Sequence, residues 1–111
     1  MTAAEARDRV AARAREVAHT ALARRGRLRI VLFGSRARGD GDPRSDFDIG
    51  IDAGAPLPAA LLAAVRDAFD ALDILQRVDV VDLAAARPEF RRLAARHEEV
   101  ILEREDEAAA G

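Results

Sequence analysis

The stretch LFGSRARGDGDPRSDFDIGID, residues 32–52, decides how the rest of this 111-residue chain is read. It opens on the end of a short apolar run, Leu28, Ile30, Val31, Leu32 and Phe33, which has the pattern of a strand buried on both faces. The run stops at Gly34. Residues 34–45 are then mostly glycine, proline, serine and charge, which is turn chemistry with room for one helical turn opening at Ser35. Order returns in DFDIGID, residues 46–52, as strict period-two alternation. Phe47, Ile49 and Ile51 take one side of this second strand, while Asp46, Asp48, Gly50 and Asp52 take the other.

Two carboxylates at i and i+2 on a strand project from one face with Cα atoms about 6.6 Å apart, from the ~3.3 Å rise per residue. Asp46 and Asp48 are such a pair. Like charges that close repel unless a cation lies between them, and oxygen-only donors select hard Mg²⁺ or Mn²⁺ over zinc. Such a pair can straddle two ions about 3.5–4 Å apart, the spacing of two-metal phosphoryl and nucleotidyl transfer. Upstream, Gly34 allows an anion to approach the backbone, and Ser35 offers an amide and a hydroxyl. Carboxylates for metal beside a cradle for phosphate describe a site for a metal-bound nucleoside triphosphate. A Walker loop is excluded, because the chain contains no lysine. A calcium loop through Asp40, Asp42, Asp46 and Asp48 is also rejected, since Arg44 falls on a ligand position and no glutamate closes it.

Outward from this centre, residues 2–25 read as a helix. Thr2 and Glu5 form its capping box, Val10, Ala14, Val17, Ala18, Ala21 and Leu22 its buried stripe, and Gly26 its end. Gly54, Pro56 and Pro58 mark a loop before an amphipathic helix running to about residue 75. A third strand covers residues 78–83. Pro88 then opens a helix to about residue 97, with Phe90, Leu93 and Ala94 inward. Val100, Ile101 and Leu102 suit either a last strand or a helical continuation. The third strand offers two more aspartates, Asp79 and Asp82; being three apart they face opposite sides, so at most one joins the dyad. Residues 1–104 are expected to form one domain and residues 105–111 a frayed tail.

Composition narrows the partners. Val, Ile, Leu and Phe supply 28 of 111 residues, enough for a modest core. Much of the remaining apolar content is alanine, which buries little area, so a ligand or partner is expected to add stability. The net charge of −2 argues against direct nucleic-acid binding, and all 18 basic residues are arginine, which reads as codon bias. The cluster Arg24, Arg25, Arg27 and Arg29 is read as cations favoured near a helix C-terminus. His19 and His97 carry no ligand pattern and receive no role. There is no cysteine, no membrane-length apolar run and no signal-peptide core, so a cytoplasmic protein is expected.

Gly34-Ser35, ten residues, then Asp46-Phe47-Asp48 resembles the GSx10DxD signature of the minimal nucleotidyltransferases in the DNA polymerase β superfamily. The likeness extends through the third strand and the closing RPEFRRLAARHEEVILER, over nearly the whole chain. It implies an α/β (α+β) nucleotidyltransferase fold, a small mixed sheet flanked by helices. It also implies that Asp46, Asp48 and Asp79 bind two Mg²⁺ ions and serve catalysis, with Asp79 favouring deprotonation of the attacking hydroxyl. Gly34, Ser35, Arg38 and Ser45 would contact the nucleotide, ATP, while Asp82 is read as a cap for the turn after its strand. Members of this size are commonly antitoxins paired with a HEPN-type ribonuclease toxin. The resemblance therefore implies a hetero-oligomer in which AMP passes from ATP to a toxin tyrosine. Two other readings stay open: an antitoxin acting by binding alone, and an aminoglycoside-type transferase for a small molecule.

Overall fold

The structure, a computed structural model, describes residues 1–34 and 46–105. Its elements in chain order are α1 (Ala3–His19), β1 (Leu28–Phe33), β2 (Phe47–Asp52), α2 (Ala59–Asp70), β3 (Val78–Asp82), α3 (Pro88–Ala95) and β4 (Glu98–Arg104). The four strands form one mixed sheet in the order β3-β2-β1-β4. β1 runs antiparallel to both β2 and β4, and β2 is parallel to β3. This is the mixed sheet with flanking helices that the sequence implies.

The alternation in β2 sorts the two faces. Phe47, Ile49 and Ile51 join Leu28, Ile30 and Leu32 of β1 and Val78 and Val80 of β3 in the main core. α1 supplies Ala6, Val10, Ala14, Val17 and Ala18 to it, and α2 supplies Val65 and Phe69. On the other face a smaller cluster gathers Val31, Phe33, Leu83 and, from α3, Ala94. β1 is thus buried on both sides, as its unbroken apolar run requires. Gly50 makes room for this second cluster: a Cβ there would lie 2.6 Å from Leu83 Cδ1 and 3.1 Å from Val31 Cγ2.

The ends of the elements depart from the sequence reading. The α1 capping box forms as expected, with the Thr2 hydroxyl accepting from the Glu5 N–H at 3.0 Å and Glu5 accepting from the Thr2 N–H at 3.2 Å. The helix, however, ends at His19 and not near residue 25. The Thr20 hydroxyl donates to the Glu16 carbonyl at 2.8 Å, and the chain then turns through short backbone bonds such as Ala23 N–H to Thr20 O at 3.2 Å. Gly26 does not adopt a left-handed conformation. The carbonyls that a glycine cap would have served are collected by one side chain from the far end of the chain. The Arg104 guanidinium donates to Ala18 O at 3.0 Å, Leu22 O at 2.9 Å and Gly26 O at 3.2 Å, and also to Arg25 O.

α2 likewise ends at Asp70, short of the expected residue 75. Leu72 and Ile74 still pack on the core from non-helical chain, whereas Leu75 is 78% exposed. Arginines of α1 tie this segment down: Arg13 donates to Ala68 O, and Arg9 to Asp73 O at 3.4 Å. In α3 only Ala94 is buried, while Phe90 and Leu93, read as inward, are 37% and 61% exposed. Ala94 takes the inward contact with the cluster of Val31, Phe33 and Leu83, while the Phe90 ring meets Phe33 edge to face from the rim. The ambiguous Val100 to Leu102 segment is strand, paired with β1 through a register shift between Ile30 and Val31. Of the expected tail, residues 106–111 lie outside the described residues. Among the described residues no helix is long and apolar enough to cross a membrane.

Candidate active site

Register assembles the candidate residues. Asp48 pairs with Phe33 on one side and with Asp79 on the other, so the row Asp79, Asp48, Phe33 crosses three strands at one level. Paired residues share a face of the sheet, and neighbouring strands are about 4.8 Å apart. Asp48 and Asp79 therefore project side by side, on the face away from α1 and α2. Asp46, two residues before Asp48, is held at the mouth of β2, where its Oδ1 accepts from the Arg77 N–H at 3.2 Å. The backbone repeats the tie, with Phe47 N–H donating to Arg77 O at 2.9 Å. Sequence reasoning could not find Arg77 because it acts through its main chain, which no residue type reveals.

Asp48 is half-buried and its carboxyl is pushed above the usual carboxylate range. Burial is the largest cause, followed by the charges of Asp79 and then Asp46. Gly34 closes on the same group from the end of β1. It has φ of +81°, and a Cβ there would sit 2.5 Å from Asp48 Oδ2. Its missing side chain is thus required twice, by backbone conformation and by the carboxylate beside it.

Asp82 stays out of this group. It is 8% exposed on the helix side of the sheet, where Oδ2 accepts from the Leu57 N–H at 2.8 Å. The turn after β3 is instead served by the Asp82 main chain, whose carbonyl accepts from the Ala85 N–H at 3.1 Å. The expected cap is therefore corrected: the carboxylate anchors the loop entering α2. Ser35, Arg36, Arg38 and Ser45 lie outside the described residues.

Among the described residues no three His, Asp or Glu side chains are gathered closely enough to hold a metal ion among them. What the chain offers is an open row of carboxylates, with Asp48 raised by burial first and by the neighbouring charges of Asp79 and Asp46 after it. An oxygen-only, mutually repelling set fits a hard divalent cation such as Mg²⁺, which would be held by Asp46 and Asp48 with Asp79 alongside.

Residues 21–107 match the family model described as polymerase beta, nucleotidyltransferase. The chain belongs to the polymerase β nucleotidyltransferase family. Within this nucleotidyltransferase family it is 34% identical over 76 residues to the probable protein adenylyltransferase MntA of Haemophilus influenzae, covering 68% of this chain and 67% of that protein. It is also similar to a solved structure described as a toxin-antitoxin with AMP-PNP, at 27% identity and a TM-score of 0.57, over 69% of this chain. A toxin-antitoxin structure of an MntA-HpeT mutant shares the fold, at 23% identity and a TM-score of 0.55. The chain spans 61% of the length of each of those two solved chains.

Proposed function

We propose that this chain is an antitoxin that transfers AMP from ATP to a tyrosine hydroxyl of a HEPN-type ribonuclease toxin, with Asp46, Asp48 and Asp79 as its metal-binding and catalytic residues. The observation that carries the reading is the pairing of Asp48 with Asp79, with Gly34 closing on the Asp48 carboxylate. Support comes from the relative named as a protein adenylyltransferase and from the similar toxin-antitoxin structure with AMP-PNP.

In this reading two Mg²⁺ ions, when bound, supply charge neutralisation at the phosphates and lower the pKa of the attacking hydroxyl. Asp46 and Asp48 would hold them. Gly34, Ser35, Arg38 and Ser45 would contact the triphosphate. Asp79, on the side of Asp48 away from Gly34, faces the incoming hydroxyl and favours loss of its proton. The hydroxyl oxygen then bonds to the α-phosphorus, the bond from that phosphorus to the bridging oxygen breaks, and pyrophosphate leaves. The bulk and negative charge added to the toxin would block its RNase site.

The chain contains no tyrosine, so the acceptor must come from elsewhere. Its only hydroxyl residues are Thr2, Thr20, Ser35 and Ser45, which makes self-modification easy to recognise by mass. The test is the intact mass of the neighbouring-gene toxin, co-expressed with this protein or with its Asp46→Asn, Asp48→Asn form. AMP-sized increments on toxin tyrosine that vanish with the double change are the expected result. A stable complex with no increment from either form would establish neutralisation by contact and overturn the transferase reading.

A further inference from the structure

Beside the carboxylate row lies a pocket of about 310 Å³, of which the proposed chemistry uses only Gly34. Phe33, Gly34, Phe90, Leu93, Arg96 and His97 line it. Its volume is at the lower end of small-molecule sites. The Phe33 and Phe90 rings meet edge to face, with centroids 5.8 Å apart and planes at 88°.

The row Asp79, Asp48, Phe33 sets its place relative to the reaction. Asp79 marks the acceptor side of Asp48. Gly34, where the phosphates would enter, marks the other side; the pocket is lined by Gly34 and by residues of α3, and Asp79 is not among its walls. A group filling it would lie next to the donor phosphates and apart from the acceptor side. The next residue in the row, Glu98, is paired with Arg29, so it presents no uncompensated charge against an anionic donor. The remaining walls are aromatic and aliphatic, with Arg96 and His97 as the polar side chains.

We propose that this pocket seats the base of the donor nucleotide, stacked against Phe90 beside Phe33, with Arg96 and His97 at its polar edge. The inference rests on the reading of Gly34, Asp46, Asp48 and Asp79 as a nucleotide site. It goes further by assigning to α3 a role in binding, and it explains why Phe90 and Leu93 are left uncovered. An aromatic stack accepts any base, so recognition here is of a planar base more than of one particular base.

The test compares equilibrium binding of ATP and of inorganic tripolyphosphate, both with Mg²⁺, to the wild-type chain and to two variants. Phe90→Ala removes the stacking ring. Leu93→Trp, at a position 61% exposed, fills the pocket from its rim with little demand on folding. Both variants are expected to weaken ATP by about 5- to 100-fold, the scale of one base-aromatic stack, and to leave tripolyphosphate unchanged. Unchanged ATP binding in both variants would overturn the base pocket while leaving the nucleotide site standing. Parallel loss of ATP and tripolyphosphate would also overturn it, because the pocket would then hold phosphates. If the wild-type chain binds neither probe, the nucleotide site itself falls.

Discussion

Gly34 and Asp48 occupy one another's space: a Cβ on Gly34 would lie 2.5 Å from Asp48 Oδ2. The contact joins the end of β1 to the middle carboxylate of the row, and it makes the glycine of the GS pair a shaping residue for the DxD pair. Gly34→Ala is expected to cost about 1–2 kcal/mol for its left-handed backbone and to push the Asp48 side chain aside. Thermal unfolding should register the first effect. AMP transfer reduced by about 10²-fold or more, the scale of losing a preorganised electrostatic group, should register the second.

Asp48 is costly to the fold that carries it. Asp48→Asn removes a half-buried charge that faces Asp79 and Asp46, so the metal-free variant is expected to melt higher than wild type. The rise should stay within about 4–8 °C, the shift accompanying 1 kcal/mol in a domain of this size. Mg²⁺ should raise the wild-type melting temperature and leave the variant nearly unmoved, since only a site that binds the ion gains by mass action. A variant that melts lower without metal would contradict the account.

Gly50 of β2 and Leu83, the residue after β3, form a matched pair. Gly50→Ala is expected to destabilise by about 1–3 kcal/mol through overpacking. Adding Leu83→Ala should return part of that loss, so a denaturant double-mutant cycle should give a favourable coupling energy between the two changes.

Arg104 closes the chain onto α1. Arg104→Met keeps the aliphatic stem but strands the carbonyls of Ala18, Leu22, Arg25 and Gly26, and is expected to cost about 2–3 kcal/mol in urea unfolding. Arg104→Lys should recover only a minor share, because an ammonium lacks the planar fork that reaches several acceptors at once.

Hydrogen bonds from the Thr2 backbone and then its hydroxyl hold the Glu5 carboxyl below its ordinary range. A lowered carboxylate pKa contributes stability above the unfolded value, and that stability is lost as pH falls through the folded one. Glu5→Ala should therefore lower the melting temperature at neutral pH, with the difference from wild type shrinking on acidification through and below the ordinary glutamate range.

The core and the shared face of Asp48 and Asp79 were legible from residue order. Period-two alternation in residues 46–52 put Phe47, Ile49 and Ile51 on one side and the aspartates on the other, because a strand alternates its side chains whatever surrounds it. The same parity kept Asp79 and Asp82 on opposite faces. The capping box at Thr2 and Glu5 is equally local, a matter of four consecutive residues. The GS and DxD spacing carried the family. Element ends were less legible. α1 and α2 both stop short of the apolar stripes that define them, because contacts from Arg104, Arg9 and Arg13, remote in sequence, serve carbonyls in their last turns and just beyond them.

What the sequence determined by itself is therefore whatever depends on near neighbours: strand parity, the capping box, the charge row and the spacing of its motifs. Tertiary structure alone decided what depends on which strands lie side by side. It set Asp79 level with Asp48, brought the Arg77 N–H to Asp46, turned the Asp82 carboxylate to Leu57 and left Phe90 and Leu93 uncovered next to Gly34. The physical reason is that periodicity specifies the face a side chain takes, whereas register between strands and the path of a loop come from packing summed over the whole core.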